Sequence, residues 1–345
     1  MCTAITYQTK DFYFGRTLDY EHSFSEEVTI TPRKFPLVFR HQDTHNDHYA
    51  IIGMACVGRD YPLYFDAVNE QGLAMAGLNF VGNAHYHQPV AGMDNVASFE
   101  FIPWILSQCA SVAEARKMLG KVNITDTAFL DKVPPSQLHW MIADREEAIT
   151  VESMEDGLHI HENPACVMTN NPPFPMQLMN LNNYMHLNAG PTVSNFDKKY
   201  PFHNYSLGMG AIGLPGDFSS ASRFVRAFFV KENSVFFDDE MTNVTQFFHI
   251  MNSVAMPKGC VQVGDAFEYT RYTSCCNVDR GIYYYNTYDN PEIKSISMRA
   301  VDLEGKELIF GDYEKKSVNS FTTRYSMIII KAGGSCFCFQ PYLHY

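Results

Sequence analysis

Residue 2 of this chain is a cysteine, small enough to let the preceding Met1 be removed after synthesis. Removal would leave a thiol and a free α-amine on one residue, which is a nucleophile together with its own base. An α-amine titrates near ~7.7–8.0 and a thiol near ~8.5, so at neutral pH a proton passes between them without a large shift of either. The scheme is the N-terminal counterpart of a Ser-His pair. A cysteine in this position is otherwise an ordinary buried thiol, so the reading depends on its surroundings. Arg16 and Asp19 are the first of these. A cation there favours thiolate, and a carboxylate can accept from the terminal ammonium and fix its direction.

Two short runs rich in Thr, Tyr, Ile and Phe, CTAITYQ and DFYFGRTLD, have to bring these groups together. Joined by Thr9-Lys10-Asp11, they read as a β-hairpin that closes with little loss of loop entropy. Residues 16 and 19 differ in parity and face opposite ways on a regular strand. Placing both at Cys2 therefore requires a bulge or a strand end near Thr17-Leu18. Attack of such a thiolate on a carbonyl also needs donors aimed at the developing oxyanion. Asn79 closes an apolar strand and Asn170 opens a turn, with Asn171 beside it, and each could equally serve an Asx turn or a strand-end cap. Arg223 stands in the first turn of a helix at 219–226, the wrong sign for the helix dipole, and asks for an anionic partner such as a thiolate. Arg226 is expected to be an ordinary arginine. Leu18, Tyr64, Phe65, Phe129, Val133 and Leu138 could line an apolar cleft, although core packing explains any one of them.

Alternation predicts strands at Val28–Pro32, Leu37–Arg40 and Tyr49–Val57, followed by two apolar, small-residue segments, Tyr64–Val68 and Leu73–Phe80, around an Asn69-Glu-Gln-Gly turn, so the first third reads as mainly sheet. The period changes over Ser98–Val122, which reads as two helices, the second starting at a Ser111/Glu114 capping box and stopping at Gly120. Strands return at Leu138–Ala143 and Ala148–Glu152, helices at Ser220–Asn233 and Asn243–Met256, and strands at Ile282–Tyr288 and Glu307–Phe310. This is an α+β pattern, and with no linker, repeat or low-complexity block the 345 residues read as a single domain. The apolar end at 325–345 is atypical and has no physical account.

Several motifs in order, MCTAIT, FGRTLDYE, ITPR, DYPLYFDAVNEQGLAMAGLNF, LHWMIAD, TNNPPF, GLPGDFSSASRFVR and GIYYYNTYDN, resemble those of the choloylglycine hydrolase family, among the N-terminal-nucleophile hydrolases. The likeness spans about residues 2–299. It implies a four-layer αββα sandwich, an order of layers that periodicity does not supply. It assigns catalysis to Cys2, Arg16, Asp19, Asn79, Asn170 and Arg223, with the Asn79 amide and the Asn170 side chain as the oxyanion hole. It places a steroid body against Leu18, Tyr64, Phe65, Phe129, Val133 and Leu138, with Gly58 leaving room. The substrates implied are bile acids conjugated to glycine or taurine, cleaved through an acyl-thioester, or passed to an amino acid acceptor. A homotetramer is also implied. A penicillin V acylase is the alternative within this chemistry, and a non-catalytic steroid binder is the alternative if Met1 is retained.

Composition excludes other classes. With 26 basic and 38 acidic side chains the net charge is −12, which disfavours nucleic acids and anionic membranes. Nine cysteines without paired C-x-x-C spacing suggest reduced thiols in a cytoplasmic protein, and no run is long and apolar enough for a membrane span. His41, His45 and His48 lack the common face a metal site needs. The chemistry requires no metal or organic cofactor.

Overall fold

The computed structural model describes residues 1–131 and 134–311, so that Val133 and the 325–345 segment lie outside the described residues. In chain order the elements are β1 (Cys2–Gln8), β2 (Phe12–Tyr20), β3 (Glu27–Thr31), β4 (Ile51–Gly58), β5 (Tyr61–Asn69), β6 (Ala74–Asn79), β7 (Asp94–Ala97), α1 (Phe101–Leu106), α2 (Val112–Leu119), β8 (Val122–Thr125) and β9 (Leu138–Ala143). They continue as β10 (Ala148–Met154), β11 (Gly157–Glu162), β12 (Val167–Met168), α3 (Phe174–Leu181), α4 (Ser220–Glu232), α5 (Glu240–Asn252), β13 (Val261–Val263), β14 (Ala266–Asn277), β15 (Ile282–Thr287), β16 (Asn290–Ser297) and β17 (Ile309–Phe310).

The hairpin explains the layering. Along β1, Cys2 and Ala4 enter one buried cluster while Ile5 and Tyr7 enter another. Along β2, Phe12, Phe14 and Leu18 face the first cluster and Tyr13 the second. A strand buried on both faces must lie between two layers. One layer is a second sheet, because Val28, Ile52, Ala76 and Met141 share the cluster of Cys2. The other is helical, because Phe224 of α4 and Phe247 of α5 share the cluster of Ile5. A third cluster packs α1 and α2, through Trp104 and Val112, on the far side of the second sheet. These interfaces make an αββα stack.

The sheets run β12-β1-β2-β14-β15-β16, with β13 on β14, and β11-β10-β9-β6-β5-β4-β3-β17. Every pair within them is antiparallel, whereas β7 and β8 form a small parallel pair.

Three departures from the sequence expectations have local causes. Leu37 and Phe39 are buried and alternate with exposed Val38 and Arg40, but only an isolated bridge, Leu37 to His45, forms there. Alternating burial without a neighbouring strand does not make a ladder. The longest strand, β14, escaped notice because Glu268, Thr270, Thr273 and Ser274 are polar yet buried, which erases its apolar rhythm. At α2, Ser111 accepts from Glu114 N as expected, but the Glu114 carboxylate takes Ala110 N instead of closing the box on Ser111.

Candidate active site

Cys2 lies at the edge of the inter-sheet core, directly across from Leu18, and is almost wholly buried. Its N–H donates to Asn170 Oδ1 at 2.8 Å, and its carbonyl accepts from Arg223 Nη1 at 2.5 Å. The residue is thus gripped from the β12–α3 loop and from α4. Met1 precedes it, its ammonium donating to Asp19 O at 2.7 Å and to Glu268 Oε1 at 2.6 Å.

Strand parity settles the arrangement of Arg16 and Asp19 without the bulge expected in β2. β1 and β2 pair in unbroken register from Cys2–Leu18 to Gln8–Phe12, and the irregularity lies on β14, between Thr270 and Tyr272. Arg16 therefore shares the inter-sheet face with Cys2 and Leu18, and Asp19 points to the helical face with Thr3 and Thr17. Asp19 Oδ1 accepts from Thr270 Oγ1 at 2.7 Å, and Oδ2 from Thr17 Oγ1 at 3.3 Å.

Arg16 fills a gap in the second sheet. The β5–β6 register ends at Asp66–Ala76, so the next carbonyls, those of Phe65 and Gly77, no longer face a ladder partner. Both accept from Arg16 Nη1, at 2.9 and 2.5 Å, and Nε donates to Thr17 O at 3.1 Å. Nη2 is buried with no hydrogen-bond partner among the described residues. Burial pulls the guanidinium pKa down, but the negative charge available at Cys2, Tyr272, Asp66 and Asp19 outweighs it and leaves the pKa raised.

Behind Arg16 sits Asp66, which the sequence did not single out. It is buried between the sheets and accepts from Tyr272 OH at 2.5 Å, Tyr283 OH at 2.6 Å and Ser274 Oγ at 3.0 Å. Burial raises its pKa, against the opposing pull of Arg16 and those three donors.

Asn170 and Arg223 form one unit. Arg223 Nη2 donates to Asn170 Oδ1 at 2.7 Å and Nη1 to Thr3 Oγ1 at 2.7 Å, while Nε donates to Phe218 O. The anionic partner expected for Arg223 is replaced by neutral oxygens: the helix aims the guanidinium at the backbone of Cys2, and no bond runs from it to the thiol. Fixing Oδ1 in this way turns the Asn170 amide nitrogen toward Asn79, whose carbonyl accepts from it at 2.8 Å, leaving its second hydrogen uncommitted. Phe80 N donates to Gln137 O on the β9 side. Amides alternate along a strand, so Asn79 N–H is directed to the opposite edge, where β5 has departed. Asn171 turns away to Val81 O, and Arg226 donates to the carbonyls of Ser253, Pro215 and Asp217.

Residues 2–311 match the model of the linear amide C–N hydrolases of the choloylglycine hydrolase family. The chain belongs to the choloylglycine hydrolase family. It is a linear amide C–N hydrolase. The bile salt hydrolase/transferase of Lactiplantibacillus plantarum is 51% identical over 310 residues, covering 90% of this chain and 96% of that protein. That of Clostridium perfringens is 37% identical over 323 residues, covering 91% and 98%. Among solved structures, a mutant conjugated bile acid hydrolase from Clostridium perfringens superposes with a TM-score of 0.83 at 35% identity, covering 91% of this chain and 98% of that one. A penicillin V acylase from Agrobacterium tumefaciens, at 20% identity and a TM-score of 0.72, shares the fold. These neighbours are N-terminal-nucleophile hydrolases, and the four-layer α+β sandwich is their architecture.

In this choloylglycine hydrolase the expected cleft residues divide. Leu18 and Phe65 pack in the cluster that contains Cys2. Leu138 pairs with Asn79 and, like Phe129, packs against the α1–α2 cluster. Gly58 and Phe129 meet farther along β4, where a Cβ on residue 58 would come within 3.1 Å of the Phe129 ring. Tyr64 is buried in the α1–α2 core, and its hydroxyl bonds Thr31 Oγ1 at 2.8 Å. Val133 is outside the described residues.

Sequence reading also missed the supports of the Asn170 loop. Ser220 Oγ accepts from Asn170 N, and Gln177 Nε2 donates to Asn170 O. Glu152 accepts from Phe174 N at 3.0 Å and meets His139 Nδ1 at 3.0 Å, while His139 Nε2 reaches Thr169 O. For His139 the available signal was a polar residue in the otherwise apolar run of β9.

Proposed function

We propose that this enzyme hydrolyses the amide bond of bile acids conjugated to glycine or taurine, using Cys2 as an N-terminal nucleophile. The observation that carries the reading is the division of Cys2 between two faces: the side chain shares its face with Arg16, while the backbone is held by Asn170 and Arg223. Loss of Met1 frees the α-amine, with Asn170 Oδ1 already placed as an acceptor and Asp19 fixed on the neighbouring strand. The thiol gives its proton to the α-amine, and the resulting thiolate, on the face it shares with Arg16, attacks the amide carbonyl. Asn79 N–H and the second hydrogen of Asn170 Nδ2 stabilise the oxyanion. The α-ammonium protonates the leaving amine, and the amine then activates the water that cleaves the acyl-thioester. Leu18 and Phe65 form the inner wall for the sterol, and Leu138, Gly58 and Phe129 the outer rim.

The substrate class follows from the relatives, whose names denote bile salt hydrolases at up to 51% identity over nearly the whole chain. Comparing release of glycine from glycocholate with release of phenoxyacetate from penicillin V tests it. Preferential cleavage of glycocholate is expected, and preferential cleavage of penicillin V would make the protein an acylase of the other branch.

We read residues 1–345 as one domain, supported by the core shared between the two sheets. Assembly as a homotetramer is supported by Met185, Phe196, Tyr205 and Leu207, apolar side chains that are at least three-quarters exposed. Light scattering behind size exclusion checks it. Among the described residues no helix is long and apolar enough to cross a membrane, in keeping with a cytoplasmic location.

A further inference from the structure

Glu268 of β14 has no part in the hydrolysis scheme, yet exposing Cys2 changes its surroundings more than those of any other carboxylate described above. Its side chain is 9% exposed, and its ion pair is with the Met1 ammonium at 2.6 Å. Asp19 O is the second acceptor of that ammonium, at 2.7 Å. Removal of Met1 leaves a buried carboxylate and a carbonyl facing the space an ammonium had filled. Buried charge is costly unless paired. The new α-amine of Cys2 does not fill the space. Its nitrogen is held by Asn170 Oδ1 at 2.8 Å, and the register of Cys2 with Leu18 fixes its Cα. Rotation about N–Cα moves the hydrogens but not the nitrogen.

We propose that Glu268 Oε1 and Asp19 O form the subsite for the ammonium of the substrate's amine half, occupied by the amine product as it leaves and by an amine acceptor as it enters. The ligand class is a primary ammonium, including zwitterionic amino acids and aminosulfonates. This deepens the reading of Cys2 as an acyl-thioester-forming nucleophile and rests on it. The site lies next to Cys2 N, where the leaving amine must be to receive its proton. In the acceptor direction the bound ammonium gives a proton to the Cys2 α-amine, and its nitrogen attacks the thioester carbonyl. The C–N bond forms and the C–S bond breaks. The thiolate recovers a proton from the α-ammonium, and the second proton lost by nitrogen goes to solvent. Glu268 thereby sets the share of acyl groups passed to amines instead of water.

The test uses the Met1-free enzyme, its N-terminus checked by intact mass, with glycocholate as acyl donor at neutral pH. Taurine is one acceptor and hydroxylamine, an uncharged nucleophile at that pH, is the other. The ratio of transfer product to free acid is measured for wild type, Glu268→Gln and Glu268→Asp. Glu268→Gln is expected to lower the taurine ratio by about tenfold or more, the loss of one charge-assisted hydrogen bond. The hydroxylamine ratio should stay within about twofold, and Glu268→Asp should restore part of the taurine transfer. Equal loss with both acceptors, or no loss with either, overturns the subsite. Wild type giving neither free acid nor transfer product refutes the Cys2 reading itself.

Discussion

The guanidinium of Arg16 does two things at once: Nη1 closes the two carbonyls that β5 and β6 leave open, and Nη2, on a residue that shares its strand face with Cys2, is buried without a partner among the described residues. A lysine keeps the charge but has no fork to do both. Arg16→Lys is therefore expected to lower kcat/KM by roughly tenfold or more, the value of at least one charge-assisted hydrogen bond. Retention of full activity would show that charge alone suffices. On the proposed scheme Asn170→Ala removes an oxyanion donor and should cost kcat about 10²–10³-fold; a change confined to KM would assign Asn170 to binding. Cys2, Arg16 and Asp19 stood out by residue type and hairpin geometry, whereas Asn79, Asn170 and Arg223 stood out only through the family's motifs, because each type also suits a turn, a cap or a salt bridge. Asp66 and Glu268 were not, since a carboxylate in a strand looks like a surface residue until its distant partners, Tyr283 and Met1, are placed beside it.

Two elements carry the precision of the site. The N-terminus of α4 holds both Ser220, which takes Asn170 N, and Arg223, which takes Asn170 Oδ1 and Cys2 O. β10 supplies Glu152, which ties Phe174 N to His139 and so brackets the loop from Thr169 to Phe174. Glu152→Ala would leave a buried N–H and a buried imidazole without their partner, so a loss of about 2–5 kcal/mol in unfolding free energy is expected by urea titration. A loss below about 0.5 kcal/mol, typical of exposed positions, would contradict that bracket. The hairpin and the paired strands around 74–79 and 138–152 were legible from alternation and turn residues. Strand β14 was not, because polar side chains on its buried faces are satisfied by partners far away in sequence, such as Asp66 for Ser274 and Asp19 for Thr270.

Among the described residues three buried clusters bind four layers, and ionisable groups packed with them couple stability to pH. Glu100, at the start of the α1 region, accepts from Arg40 N at 2.8 Å and is pushed by burial from 4.5 up to about 7. A carboxyl with a raised folded pKa lends stability that is complete below about 4.5 and is lost as pH rises through about 7. The unfolding free energy of wild type relative to Glu100→Gln should thus fall by about 1–3 kcal/mol between these limits. Parallel pH profiles would contradict the shift. The α+β class was legible from element types alone, but the order of layers was not, because it depends on which faces of doubly buried strands meet.

The central claim concerns the released terminus, and mass spectrometry of an acid-quenched turnover mixture reaches it directly. The account predicts a chain lacking Met1 that carries a cholyl group on Cys2 during turnover of glycocholate. Turnover by a chain that keeps Met1, or an acyl group found on any other residue, would contradict it.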